Sequence, residues 1–191
     1  PGFIDSHTHL IFSSDRSSDF NKRISGASYK EISESGGGIR LSSESLRAAS
    51  NEELVEKCIK ETNNFIKNGT TTLEAKSGYG LTVKDELRSL EVINELNKIS
   101  KISIIPTFMG AHDFPKEIKN KNDYVDLICK EMIPEIANNK LAEFCDVFCE
   151  NGYFSVDDSR KILEAAKQYN LIPRMHADEF VYSGAAELAD A

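Results

Sequence analysis

Apolar residues recur along this chain at two spacings. Five short runs are dense in β-branched, aromatic or other apolar side chains: "GFIDSH" from Gly2, "TTTLEAK" from Thr70, "ISIIPTFMGAH" from Ile102, "FCDVFCE" from Phe144 and "LIPRMHADEF" from Leu171. Each is short enough for a strand and is followed by turn-forming or polar residues. Between them the spacing becomes helical. Leu54, Val55, Cys58, Ile59, Thr62, Phe65 and Ile66 form one apolar stripe, opened by a Ser50/Glu53 capping box and stopped by Gly69. Leu87, Leu90, Ile93 and Leu96 predict a second helix over Val83 to about Lys98, and about Asp123 to Ala137 a third, interrupted or bent by Pro134. Ser155 caps a fourth that runs through Ile162, Leu163, Ala165 and Ala166. From Leu10 to about Ser50 the pattern lapses into a polar stretch that reads as a long loop.

Strands that alternate with helices imply right-handed crossovers and a parallel sheet covered on both faces, in the α/β class. Either an open doubly wound sheet or a (β/α) barrel satisfies this order. No Gly-x-Gly-x-x-Gly or Gly-x-x-x-x-Gly-Lys-Ser/Thr loop follows any strand. The triple glycine Gly36 to Gly38 follows no strand and opens no clear helix, so it is a weak candidate for cradling phosphate.

Charge narrows the function. A formal net charge of -8 lacks the basic footprint that nucleic acid or an anionic membrane surface requires, which leaves small molecules as the expected partners. No apolar run approaches the ~20 residues of a bilayer span, and no basic start precedes an apolar stretch as in a signal peptide; the expected location is cytoplasmic. Cys58, Cys129, Cys145 and Cys149 form no Cys-x-x-Cys pair and read as reduced core thiols. The chain begins at Pro1-Gly2 and stops in "SGAAELADA", which reads as a fragment.

The chain has only four histidines, and all lie at the ends of predicted strands: His7 and His9 after the first, His112 after the third and His176 on the fifth. The C-terminal ends of parallel strands are where barrel enzymes assemble their sites. On a strand, positions i and i+2 share a face, so His7 and His9 are expected to grip one ion, with His176 as a third imidazole and a position left for water. Neutral imidazoles suit zinc or iron. Glu179, three residues beyond His176, is the candidate general base and acid. Asp5 shares the parity of His7 and His9 and reads equally well as a supporting carboxylate; Lys76 ends the second strand with no partner evident.

"PGFIDSHTHL", "GASYKEI", "AKSGYGL", "TFMGAHDFP" and "MHADEF", in this order, resemble the amidohydrolase superfamily and, within it, the imidazolonepropionase family. The similarity runs over essentially the whole chain. It implies a TIM (β/α)₈ barrel of which residues 1–191 hold about strands one to five with their helices, as one partial barrel domain without the family's small β-sandwich. It implies metal-dependent hydrolysis of 4-imidazolone-5-propanoate to N-formimidoyl-L-glutamate, a step of histidine degradation, by a full-length protein that is a homodimer. Carried over by motif, His7, His9 and His176 hold one zinc or iron ion, and Glu179 matches the acid/base. Arg16, Tyr29 and Tyr79 match substrate-binding positions, and His112 matches a substrate-contacting, catalytic histidine. A carboxylate tail suits a guanidinium and phenolic donors, and a ring carbonyl suits an imidazole donor. Two alternatives stand beside this: a catalytically incomplete metal-binding module, or a related cyclic-amide hydrolase that lacks the propionate clamp.

Overall fold

The five apolar runs form one parallel sheet in sequence order: β1 (Phe3–Asp5), β2 (Thr70–Lys76), β3 (Ser103–Ala111), β4 (Phe144–Cys149) and β5 (Ile172–Ala177). The computed structural model describes residues 1–190, apart from the side chains of Tyr29, Lys30 and Ser33. The sequential order is that of a barrel wall, in contrast to an open doubly wound sheet, where the order reverses at a switch point. The strands and their helices are thus part of a (β/α) barrel, with β1 and β5 as its two edges.

The helices follow the predicted stripes. α4 (Asn51–Lys67) starts at the Ser50/Glu53 capping box, α5 (Val83–Ile99) is capped by Thr82, and α8 (Val156–Gln168) by Ser155. Leu54 and Cys58 of α4, Leu90, Ile93 and Leu96 of α5 and Ile162 and Ala166 of α8 bury themselves with Leu73, Ile104, Phe108, Cys145 and Val147 of the strands. Each buried leucine or isoleucine of this kind contributes about 1.5–3 kcal/mol relative to an exposed position.

Two expectations change. The stretch from Leu10 to Ser50 is not a loop; it folds into α1 (Ser17–Ile24), α2 (Tyr29–Glu34) and α3 (Gly38–Ala48). These short helices carry few buried apolar residues, so their stripes are too weak to read: Ile32 docks α2, Ile39 and Leu46 dock α3, and the buried residue of α1 is Asp19. The triple glycine does open a helix, α3, with Gly38 as its first residue. The interruption expected from Pro134 takes the form of a π-helical turn: α6 (Lys121–Leu127) passes into Ile128–Met132 before α7 (Ile133–Asn138). Proline has no N–H and its ring collides with the carbonyl four residues earlier, so the ladder widens and the Ile133 N–H bonds the Ile128 carbonyl five residues back.

Candidate active site at the carboxyl ends of the strands

β1 stops at Asp5, so His7 and His9 do not sit on a strand as its i and i+2 positions. The Asp5 carboxylate accepts the His7 N–H at 3.3 Å and turns the backbone out of the ladder. Thr8 then anchors the segment on β2. Its carbonyl accepts the Lys76 N–H at 2.9 Å, and its hydroxyl donates to the Glu74 carbonyl at 2.5 Å. The two imidazoles on either side of this anchor diverge, with ring centroids 6.5 Å apart.

His7 meets His176 instead. Their Nε2 atoms are 3.1 Å apart, across the gap between the first strand and the fifth. His176 Nδ1 lies 3.2 Å from the Asp146 carboxylate, which only accepts, so the ring hydrogen sits on Nδ1 and the lone pair of Nε2 faces His7. Asp146 faces the same way from β4, and its other oxygen accepts from Lys76 Nζ at 2.5 Å. Lys76 also contacts Glu74 at 2.8 Å, and Glu74 takes the Thr107 hydroxyl at 2.6 Å and an ion pair from Arg174. Burial alone would raise the Asp146 carboxyl; the His176 and Lys76 contacts outweigh it and hold the group below the usual range. Lys76 therefore has two carboxylate partners, which its sequence position did not reveal.

His9 turns to the opposite side. Its ring stacks on His112 at 4.6 Å and 8° and lies 4.8 Å from the Tyr79 ring. Its Nδ1 is buried with no hydrogen-bond partner among the described residues. The structure thus brings together two of the three expected ligands. Among the described residues no three side chains of metal-ligating type close on one point. The donor chemistry nonetheless fits a cation such as zinc: two facing imidazole nitrogens, a carboxylate that fixes one ring's tautomer, and an orphaned third imidazole whose ring centre is 6.5 Å from that of His7. Burial, then His176 and Lys76, lower the pKa of His7; burial, then His112, lowers that of His9.

His112 Nδ1 is 2.9 Å from the Gly78 carbonyl, and burial pushes the ring's pKa down to about 4. A carbonyl only accepts, so Nδ1 carries the hydrogen and Nε2 is an acceptor. This revises the expected chemistry, because a neutral His112 in this tautomer suits a ring N–H and not a ring carbonyl. Tyr79 sits beside it in the turn after β2, and that turn is held by Glu86. The Glu86 carboxylate accepts the Gly78 N–H at 3.0 Å and the Leu81 N–H at 2.9 Å. Arg16 stands at the head of α1, where Asp19 accepts from its Nε at 3.0 Å. Tyr29 begins α2, but its side chain lies outside the described residues.

Glu179 follows β5 and lines a recess of about 390 Å³ with His7, His9, His112, Phe148, His176 and Phe180. A second recess, of about 560 Å³, runs from His7, His176 and Glu179 down to Glu74, Lys76, Asp146 and Arg174. Glu150, at the end of β4, accepts the Phe180 N–H at 2.7 Å and so holds the loop that carries Glu179. Glu74, Asp146, Glu86, Glu150 and Asp19 were missed in the sequence. Two of them had a signal, since Glu74 and Asp146 are carboxylates inside otherwise apolar strand runs, where burial demands a partner.

The chain is 50% identical over 190 residues to imidazolonepropionase of Brevibacillus brevis, 48% to that of Thermoanaerobacter pseudethanolicus and 48% to that of Clostridium tetani. Each match covers 99% of the chain. The whole chain resembles imidazolonepropionase. It spans about half the length of these curated relatives, 45–46% of each. No protein-family model matches this imidazolonepropionase-like chain. Its fold is similar to that of a 5-methylcytosine deaminase from Klebsiella pneumoniae, solved with phosphonocytosine, with a TM-score of 0.69 over 98% of this chain and 42% of that one, at 15% identity. It is also similar to ochratoxinase of A. niger, with a TM-score of 0.55 over 99% of this chain and 44% of that one. These two likenesses concern the barrel fold alone.

Proposed function

We propose that the protein carrying this chain hydrolyses 4-imidazolone-5-propanoate to N-formimidoyl-L-glutamate, with residues 1–191 as one partial barrel domain that supplies most of the site. The observation that carries the reading is the approach of His7 and His176 from opposite edges of the sheet, with Glu179 over the same recess. His7, His176 and His9 are the residues that would hold one zinc or iron ion. When bound, such an ion polarises the ring carbonyl and lowers the pKa of water. Asp146 keeps His176 in the tautomer whose Nε2 can donate a lone pair.

The chain's own groups do the rest. Arg16 takes the propionate carboxylate, with Tyr79 and, by the resemblance, Tyr29 as phenolic donors. His112 accepts the ring N–H through Nε2. Glu179 takes a proton from the attacking water as its oxygen adds to the ring carbonyl carbon, then delivers that proton to the nitrogen as the C–N bond breaks. The product keeps both halves of the opened ring, one as carboxylate and one as formimidoyl nitrogen. Among the described residues no helix is long and apolar enough to cross a membrane, and the net charge of -8 supports a small-molecule substrate over nucleic acid. We also propose that the full-length protein is a cytoplasmic homodimer.

The test is metal analysis of full-length protein with and without His176→Ala. About one ion per chain is expected in the parent, with loss in the variant. Unchanged stoichiometry removes His176 from the ligand set.

A further inference from the structure

We propose that Asp19 is a positioning residue whose carboxylate, seated on the triple-glycine turn at the head of α3, fixes the Arg16 guanidinium for the substrate's carboxylate. The proposal rests on the reading of Arg16 as the propionate clamp and adds what makes that clamp rigid.

Asp19 is 5% exposed although it lies in the first turn of a helix with a polar surface. One of its oxygens, Oδ2, accepts from Arg16 Nε at 3.0 Å and from the Gly38 N–H at 2.9 Å. The three glycines have separate uses around it. Gly36 and Gly38 turn the chain at φ of +87° and +71°, where a side chain is strained. Gly37 has an ordinary φ of -88°, so its need for glycine is one of space. A Cβ there would stand 2.4 Å from Asp19 Oδ1, 2.9 Å from its Cγ and 2.9 Å from Cγ2 of the buried Ile32. The turn is shaped around a carboxylate of its own chain, and that carboxylate holds an arginine.

A helix cap alone accounts for the Gly38 contact and not for the arginine. By the resemblance Arg16 is the clamp for the substrate's carboxylate, so what holds its guanidinium bears on how that carboxylate is bound. A guanidinium tethered at Nε has fewer rotamers to lose when a carboxylate binds it. The two effects of Asp19 oppose each other, which makes the proposal decidable. Its negative charge partly neutralises Arg16, so removing the charge while keeping the side chain's shape would tighten substrate binding if charge dominated. If positioning dominates, the same change weakens binding.

The experiment uses full-length protein with imidazolone propionate and with the same ring lacking its tail. Arg16→Ala should raise KM for the tailed substrate and leave the tail-less ring unaffected; no change there defeats the clamp reading itself. With that in place, Asp19→Asn should raise KM for the tailed substrate roughly tenfold, with kcat and the tail-less ring within about twofold. On the Arg16→Ala background it should add little, because the two residues act as one unit. Gly37→Ala should reproduce the rise with the charge intact, by displacing the carboxylate. An unchanged or lowered KM in Asp19→Asn, or equal losses on both substrates in both variants, overturns the proposal.

Discussion

Asp146 divides its two oxygens between a cation and an imidazole, and the division is what gives His176 a defined role. Lys76 on one side keeps the carboxylate ionised in a buried place, and His176 on the other is held with its hydrogen on Nδ1. Lone buried charges of either sign would be costly; together with Glu74 and Arg174 they form a set in which each has an opposite partner. Removing the ionised oxygen leaves the ring free to rotate or to take the other tautomer. Asp146→Asn in full-length protein is expected to weaken metal binding about 10–100-fold while the fold persists. Competition against a graded chelator, with circular dichroism as the control, measures it. Affinity equal to the parent would show that packing against Phe148 is sufficient to orient the ring.

At the level of elements, three buried carboxylates each hold a turn or loop by its backbone N–H groups. Asp19 receives the turn before α3, Glu86 the turn that bears Tyr79, and Glu150 the loop that bears Glu179. Each accepts backbone N–H groups that a loop otherwise leaves unpaired. Glu86 lends itself to a pH test. Its burial raises the carboxyl's pKa against the hydrogen bonds from Ser77, Leu81, Gly78 and Gly80. A raised pKa means that the folded state binds the proton more readily than the unfolded chain. Stability from this group is therefore fully present below its unfolded value and is lost as pH rises through the folded one. Glu86→Gln should remove that slope, so the parent loses stability relative to the variant as pH rises from about 4.5. Glu86→Ala orphans the Gly78 and Leu81 N–H groups and should cost about 2–4 kcal/mol. Urea unfolding across that pH range reads both; parallel curves for parent and Gln variant would dismiss the titration.

For the molecule as a whole, the edges of the sheet matter most. β1 leaves Phe3 71% and Ile4 73% exposed, and Ile172 on β5 is 54% exposed. Each edge also presents unpaired backbone groups, a template for pairing with another chain. The recess around His7 and His176 is open, so water is not shut out of it. The expected outcome for residues 1–191 by themselves is no more than a trace of ring-opening activity, together with self-association. Light scattering and turnover beside the full-length protein at equal metal loading decide it. Comparable turnover from a monodisperse chain would show that these groups suffice without further strands.

Local spacing was enough to read the five strands, the caps at Ser50 and Ser155, the α/β class and the cluster of chemistry at strand ends, because periodicity and capping act between neighbours in the chain. The resemblance carried by "HTH", "SGYG" and "HADEF" singled out residues at the same strand ends. What lay beyond reach depends on residues distant in sequence. His7 and His176 are 169 positions apart, and whether their nitrogens meet is decided by how five strands curve, not by either motif. The divergence of His7 and His9 follows from Thr8 being anchored on β2 and from β1 ending early. Lys76 had no evident partner until β4 and β5 brought Asp146 and its neighbours beside it, and the triple glycine had no purpose until α1 delivered Asp19 onto it. A buried polar group is explained by its partner, and for these residues the partner is chosen by the tertiary fold.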